Sequence, residues 1–504
     1  MKSVLCCLLA LRILTLQCCL AATPPDAVSV SPPKPDSSVN VLFIMADDFR
    51  PEAGCYGSPA ITPNLDRLAQ RSLLFSNAYC QQAVCNPSRS SLLTGRRPDS
   101  LRIWNNSVHF RERNPDIQTL PLWFKTHGYH TRCIGKIFHN WHTKVQGDPQ
   151  SWSVPEFLHY ANHGDDRALV DGPLPPNFAR TTSGFGYSGP GICECRDVPD
   201  AAYYDGRVAD EAVRVLRSLP AQPFFLAVGF WKPHAHFNAP KKYWDLYDRS
   251  RLPELLNARP LNAPAIAFHQ STEVLGPAAV QKTPNPAQVA EMRHGYFANI
   301  SYLDAQLGKV LDALADSPAA SSTIVVFLSD HGYHIGEHSL WGKTSNFEYD
   351  ARVPLMIHVP GMSQSNRRTH AITELIDLFP TLNDLCSLPQ PPALEGQSLT
   401  SILAQPDATG KTAAFTQHPR PAYYDRTPTG KPDSMGYSIR TPLARYTEWR
   451  DWSTGTITDR ELYLASDQPA ETQNAVDNPA HAQLRNTLAE LLHQTHPPAA
   501  HDSN

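Results

Sequence analysis

The sequence has no excess of either charge. Its 44 Lys+Arg stand against 48 Asp+Glu, a net of −4 over 504 residues. That balance excludes a broad grip on nucleic acid or on an anionic membrane, while leaving room for a local basic pocket. Past the N-terminus there is no apolar run long enough to span a bilayer, and no internal repeat. Glycine is scarce, 26 against 46 proline, which favours long stiffened loops over flexible linkers. Hydrophobic residues are plentiful at 41%, with 18% charged, so wholesale disorder is excluded. A chain of this length forms two to four average domains, or one large domain with a small companion.

Residues 1–22 read as a signal peptide. Lys2 supplies a positive start, an apolar stretch over 4–16 is broken by Arg12, and Ala21 and Ala22 offer a cleavage region. The rival is a membrane anchor, which the short, interrupted run disfavours; Cys18 and Cys19 leave a lipid anchor open. The expectation is export to a periplasmic, secreted or lysosome-like compartment. The mature chain then keeps Cys55, Cys80, Cys85, Cys133, Cys193, Cys195 and Cys386. An odd set leaves at least one thiol unpaired or with another fate. Cys193 and Cys195, one residue apart, are poorly placed to bridge each other.

A Pro/Ser-rich linker follows over 23–39. The apolar runs 40–46, 223–229, 323–328 and 354–359 have the form of buried parallel strands. Helical patterns alternate with them, opening at Thr62-Pro63, spanning 204–219 and spanning 286–315. This predicts an α/β fold, a large mixed, mostly parallel sheet flanked by helices, over 40–408. Shorter strand-like pieces at 413–417, 437–440, 446–449 and 461–464, then a helix near 480–493, predict a smaller C-terminal α+β unit over 409–494. Residues 495–504 read as a loose tail. On such sheets ligands gather at the carboxyl ends of the strands, so the residue after each apolar run is the one to inspect.

Asp47-Asp48 ends the first run, and Ser329-Asp330-His331-Gly332 ends the third. Converging carboxylates suit an oxygen-seeking cation, calcium or magnesium; either group alone is as well read as a solvated turn. Between them stands Cys85-Asn86-Pro87-Ser88-Arg89, with Leu93-Thr94-Gly95 downstream. It places a cysteine at the mouth of a helix beginning near Pro87, where unpaired N–H groups favour an anion. Arg89, one turn in, has two parallel donors for an oxyanion. The plainer reading is a reactive or merely buried thiol.

These residues resemble the signature of the type I sulfatases, whose cysteine is oxidised after translation to formylglycine. Other segments resemble that family in order: Asp47-Asp48 its first metal pair, Gly135-Lys136-Ile137-Phe138-His139 its second signature, Lys232-Pro233-His234 its leaving-group histidine, Asp330-His331-Gly332 its second metal pair, and Gly342-Lys343 its sulfate-facing lysine. Within it, Gln81-Gln82-Ala83-Val84-Cys85, Thr94-Gly95-Arg96-Arg97-Pro98-Asp99, Ser345-Asn346-Phe347 and 435–441 are most similar to the iduronate-2-sulfatase branch. Asn86 replaces a small residue usual there, and His331 stands where many sulfatases carry Asn.

The resemblance implies an alkaline-phosphatase-like fold and a sulfuric ester hydrolase. It implies one Ca²⁺ held by Asp47, Asp48, Asp330, His331 and the modified Cys85, with Cys85, Arg89, Lys136, His139, His234 and Lys343 catalytic. Its implied partners are a sulfated saccharide and a formylglycine-generating maturation enzyme, with no nucleic acid and no transmembrane anchor. His334, His338, Arg440 and Arg450 are further candidates for substrate contact. Two other readings stay open: a formylglycine-dependent phosphonate or phosphodiester hydrolase, and a non-catalytic carbohydrate-binding protein on the same fold.

Overall fold

Strand β1, Asn40–Asp47, is buried along its whole length. Successive side chains of a strand point to opposite faces. Accordingly Leu42, Ile44 and Ala46 enter one apolar cluster, while Val41, Phe43 and Met45 enter another. Both faces of the sheet must therefore be covered. The first is closed by helix Pro286–Ala315, through Met292, Tyr296, Ile300, Leu303 and Leu307, and by helix Tyr204–Leu216, through Val208 and Ala212. The second is closed by Leu92 and Leu93 of helix Cys85–Thr94 and by Leu378, Phe379 and Leu382 of helix Leu378–Leu385. Each such fully buried side chain contributes about 1.5–3 kcal/mol of transfer free energy. The longest helix starts where its sequence says, with Pro286 at its first turn and an Asn285/Gln288 capping box.

This computed structural model describes residues 39–139, 147–158, 193–219, 222–256, 258–276, 281 and 283–499. The leader 1–22, almost all of the linker and the last five residues of the tail lie outside the described residues. In chain order the further strands are β2 (Leu73–Tyr79), β3 (His130–Gly135), β4 (Cys193–Arg196), β5 (Phe224–Pro233), β6 (Phe237–Pro240), β7 (Thr323–Ser329), β8 (His334–Ile335), β9 (Trp341–Gly342), β10 (Arg352–His358) and β11 (Arg367–Glu374). Seven of them form the main sheet in the order β11-β2-β10-β7-β1-β5-β3. β7, β1, β5 and β3 are mutually parallel, as are β11 and β2.

The run at 354–359 differs from its expected direction, because β10 is antiparallel to both β7 and β2. A parallel partner needs a crossover element. The segment between β7 and β10 holds only the β8–β9 pair and short single-turn helices, so the chain turns back instead.

A second, antiparallel sheet follows: β12 (Ala414–Arg420), β13 (Ser434–Arg440), β14 (Ala444–Asp451) and β15 (Ile457–Leu464). Helix Ala482–Thr495 covers it through Leu488 and Leu492. The expected loose tail is corrected at its start. The helix reaches Thr495, and buried His496 accepts at its carbonyl from Arg450 Nη1 at 2.8 Å while its ring stacks on Tyr437. β12 docks on the main domain beside the segment leading to Cys85: Gln417 N–H donates to the Gln81 carbonyl (2.9 Å) and Thr416 Oγ1 to that of Cys80 (2.8 Å). The fold is thus α/β, a large mixed, mostly parallel sheet between helices, with a smaller C-terminal α+β unit.

Candidate active site

The four adjacent parallel strands deliver their carboxyl ends to one place. Lys136 follows β3, His234 follows β5, Asp47 and Asp48 close β1, and Asp330 and His331 follow β7. Asp48 lies in the left-handed region at φ 61°, which short polar side chains tolerate best among non-glycines. Cys85 arrives from the other side as the first residue of its helix, after extended Val84. The helix therefore begins two residues before Pro87. Proline fits there because the first turn's N–H groups have no intrahelical acceptor. Ser88 Oγ donates to the Asp330 carbonyl at 2.5 Å and pins this helix to the end of β7.

Around the thiol the side chains form a closed set. Cys85 Sγ lies 3.5 Å from Asp47 Oδ1 and 3.7 Å from Lys136 Nζ. Lys136 also pairs with Asp47 Oδ2. Cys85 Sγ, a His331 ring nitrogen and one carboxylate oxygen each from Asp47 and Asp330 lie within 4.8 Å of one another, all four residues being buried. Asp48 is not part of that quartet; with Cys85 and His234 it makes a second trio of the same compactness. Lys343 Nζ reaches Asp48 Oδ1 at 3.0 Å and His234 Nε2 at 3.1 Å. The Ala235 carbonyl faces His234 Nδ1, so that nitrogen carries the proton and Nε2 presents its lone pair to Lys343.

Burial and charge oppose one another here. Burial pushes the Asp47 carboxyl up, but Lys136 and Arg89 beside it hold it well below the usual carboxylate range. For Asp48 burial prevails over Lys343 and His331, and its carboxyl rises. Burial works against the charge of Lys343, yet Asp48 keeps it above the ordinary lysine range. Three carboxylates facing Arg89, Lys136 and Lys343 make a nearly neutral cluster. A divalent ion would turn it positive, as an anionic substrate requires.

Arg89 commits Nε and Nη1 to the protein, while its buried Nη2 has no hydrogen-bond partner among the described residues and is the donor left for an oxyanion. Its Nε donates to Asp330 Oδ2 (2.7 Å), its Nη1 to the carbonyls of Lys136 (2.6 Å) and Ile137 (3.0 Å), and its Nη2 lies 3.4 Å from Asp47 Oδ1. With the side chain fully buried, it braces two carboxylates from different strands. His139 is buried in the loop after β3. His334 and His338, candidates for substrate contact, are buried and bonded internally: His334 binds Asp350 (2.6 Å) and faces His338, whose Nε2 meets the Ala470 carbonyl (2.6 Å). Arg440 pairs with Glu348 and Arg450 with Glu448, both buried. Loop and surface statistics do not foresee such internal pairing. Sequence reading passed over Glu273, which reaches Lys343 Nζ at 2.8 Å. A lone acid on a single-turn helix carries no spacing signal.

Comparison with known proteins places this geometry. A sulfatase family model matches residues 39–388, and a model of the C-terminal region of N-sulphoglucosamine sulphohydrolase matches 336–497. Iduronate 2-sulfatase of Mus musculus is 34% identical over 526 aligned residues, covering 90% of this chain and 93% of the relative. Among solved structures, BT4656 in complex with its substrate D-glucosamine-2-N,6-O-disulfate superposes with a TM-score of 0.69 at 21% identity, covering 91% of this chain and 97% of that one. The phosphonate monoester hydrolase of Agrobacterium radiobacter gives 0.72 at 22% identity, covering 90% and 95%. At such identities these two likenesses show the fold alone. No helix among the described residues is long and apolar enough to cross a membrane. The matched family and the strand-end cluster around Cys85 lead to one conclusion: the chain belongs to the sulfatase family and is a sulfuric ester hydrolase, similar to iduronate 2-sulfatase.

Proposed function

We propose that the protein is an exported, Ca²⁺-dependent sulfatase acting on a sulfated uronic acid or a related polysaccharide, with Cys85 converted to formylglycine. The observation that carries this reading is the position of the Cys85 thiol. It stands at a helix mouth, in contact with Asp47 and Lys136 and inside a compact quartet with Asp330 and His331. The donor set fits a hard cation, since Asp47, Asp48 and Asp330 supply buried oxygens. His331 fits as a neighbour able to complete the set, its buried Nε2 having no hydrogen-bond partner among the described residues and lying 3.5 Å from Asp330 Oδ2. When present, the hydrated formylglycine supplies two hydroxyls on one carbon, and the cation lowers their pKa and offsets sulfate charge.

The remaining chemistry belongs to the chain. Arg89 holds Asp47 and Asp330 in place. Lys136 and Lys343 stabilise charge developing on the sulfate oxygens. The proton shared between Lys343 Nζ and His234 Nε2 is the one offered to the departing sugar oxygen. His139, buried in the loop after β3, would be the residue to accept the proton of a second hydroxyl. Domain bounds of 40–408 and 409–494 place all of these residues in the larger unit.

The test compares inorganic sulfate release from a panel of sulfated disaccharides by the wild type and Cys85→Ala, with and without a Ca²⁺ chelator. We expect a loss of at least about 10³-fold in the variant and loss of activity on chelation. Peptide mass spectrometry should find the aldehyde's mass at position 85. Equal rates for the two proteins, or an intact thiol in active enzyme, would end the proposal. Phosphonate esters assayed alongside separate the phosphonate hydrolase reading, and saccharide binding without turnover would favour the non-catalytic one.

A further inference from the structure

Lys343 sits where more acceptors converge than one ammonium has protons. Its Nζ is 2.8 Å from Glu273 Oε1, 3.0 and 3.1 Å from the two oxygens of Asp48, and 3.1 Å from His234 Nε2. A lysine has three donors on a flexible four-carbon stem, so its place is set by whichever partners stay fixed. Asp48 belongs to the proposed metal set, and His234 Nε2 shares with Lys343 the proton meant for the leaving group. Glu273 has neither duty.

Glu273 is also held from behind. Its second oxygen accepts from Tyr423 Oη at 2.7 Å. Tyr423 follows β12 in the small sheet, whereas Glu273 lies on the short helix Thr272–Leu275 beside β9. That helix is pinned in turn, because Ser271 Oγ accepts from the Trp341 N–H at 2.9 Å. The Glu273 side chain is 17% exposed, against 2% for Lys343 and 7% for His234, so it stands on the mouth side of the pair.

We infer that Glu273, oriented by Tyr423, is a positioning residue for leaving-group protonation: it holds Lys343 Nζ against His234 Nε2. The inference rests on the sulfatase reading and deepens it. The proton moves from the Lys343–His234 pair to the sugar oxygen as the S–O bond breaks and its electrons pass to that oxygen. An alkyl oxygen needs this proton; a nitrophenolate does not.

The experiment measures Glu273→Gln and Tyr423→Phe on two probes: the sulfated disaccharide the wild type turns over fastest, and 4-nitrocatechol sulfate. For Glu273→Gln we expect kcat on the disaccharide to fall about tenfold or more with KM within about threefold, and kcat on the aryl sulfate to fall less than about threefold. Tyr423→Phe should show the same ordering with a smaller loss, and it carries the test should Glu273→Gln fail to fold. Equal losses on both probes, or no loss on either, would overturn the inference while leaving the sulfatase reading standing. A wild type inactive on every sulfate ester would overturn both.

Discussion

Arg89 spends Nε and Nη1 on hydrogen bonds to the protein itself, and Nη2 adds an ion pair to Asp47. Nε, Nη1 and Nη2 each meet a different group, and those groups come from three strand ends. A lysine cannot reproduce this fork, since it offers one point charge in place of a planar array. Arg89→Lys should therefore leave a buried carboxylate or carbonyl unpaired, at a cost of about 3–5 kcal/mol. The measurement is urea unfolding alongside sulfate release. We expect a lowered midpoint and near-complete loss of activity, and an unchanged midpoint would contradict the bracing role. The motif from Cys85 to Gly95 was legible because its chemistry is written in contiguous residues. Glu273 and Tyr423 were not, since nothing local marks a residue whose partner lies 70 positions away, as Lys343 does for Glu273, or 150, as Glu273 does for Tyr423.

At the scale of elements, the meeting of β3 and β5 sets where Lys136 lies. Gly229, in β5, faces the backbone of Lys136 so closely that an added Cβ would stand 1.9 Å from the Lys136 carbonyl oxygen. Gly135 has φ +78° and meets the Gly229 carbonyl just as tightly. Backbone on both sides leaves nothing to yield by rotamer change. Gly229→Ala should destabilise by about 1–3 kcal/mol or more and displace Lys136 from Asp47. Thermal melting and kcat should fall together, and a variant that melts normally would contradict the close approach. The strands that announced themselves were those buried on both faces, β1, β5, β7 and β10. β11 was missed because it is an edge strand whose first two residues are exposed arginines, so it lacks an apolar run. The direction of β10 was illegible for a related reason: an apolar run marks burial, not polarity.

The small sheet makes the stability of the whole molecule depend on pH in a direction that can be worked out. Glu461, on β15, is fully enclosed while its oxygens accept from Trp449 Nε1 and Tyr463 Oη. Burial pushes its carboxyl from 4.5 up to about 7. A folded-state value above the unfolded one means its contribution is complete below pH 4.5 and is lost as pH rises through 7. This group should contribute on the order of 3 kcal/mol more stability at pH 5 than at pH 8. Glu461→Gln should flatten that slope, as read by denaturant midpoints at the two pH values; parallel slopes would contradict the assignment.

The sequence by itself determined the class of fold, the family and the identity of Cys85, Asp47, Asp48, Asp330, Lys136, His234 and Lys343 as candidates. Apolar periodicity and short motifs are local properties that survive in one dimension. Only the tertiary structure decided that Arg89 braces Asp330, that His334, His338, Arg440 and Arg450 are paired internally, that His496 is anchored, and that Glu273 stands behind Lys343. Those outcomes depend on which buried charges find each other across distant segments. The cost of leaving any one of them unpaired is paid only when the whole chain has closed.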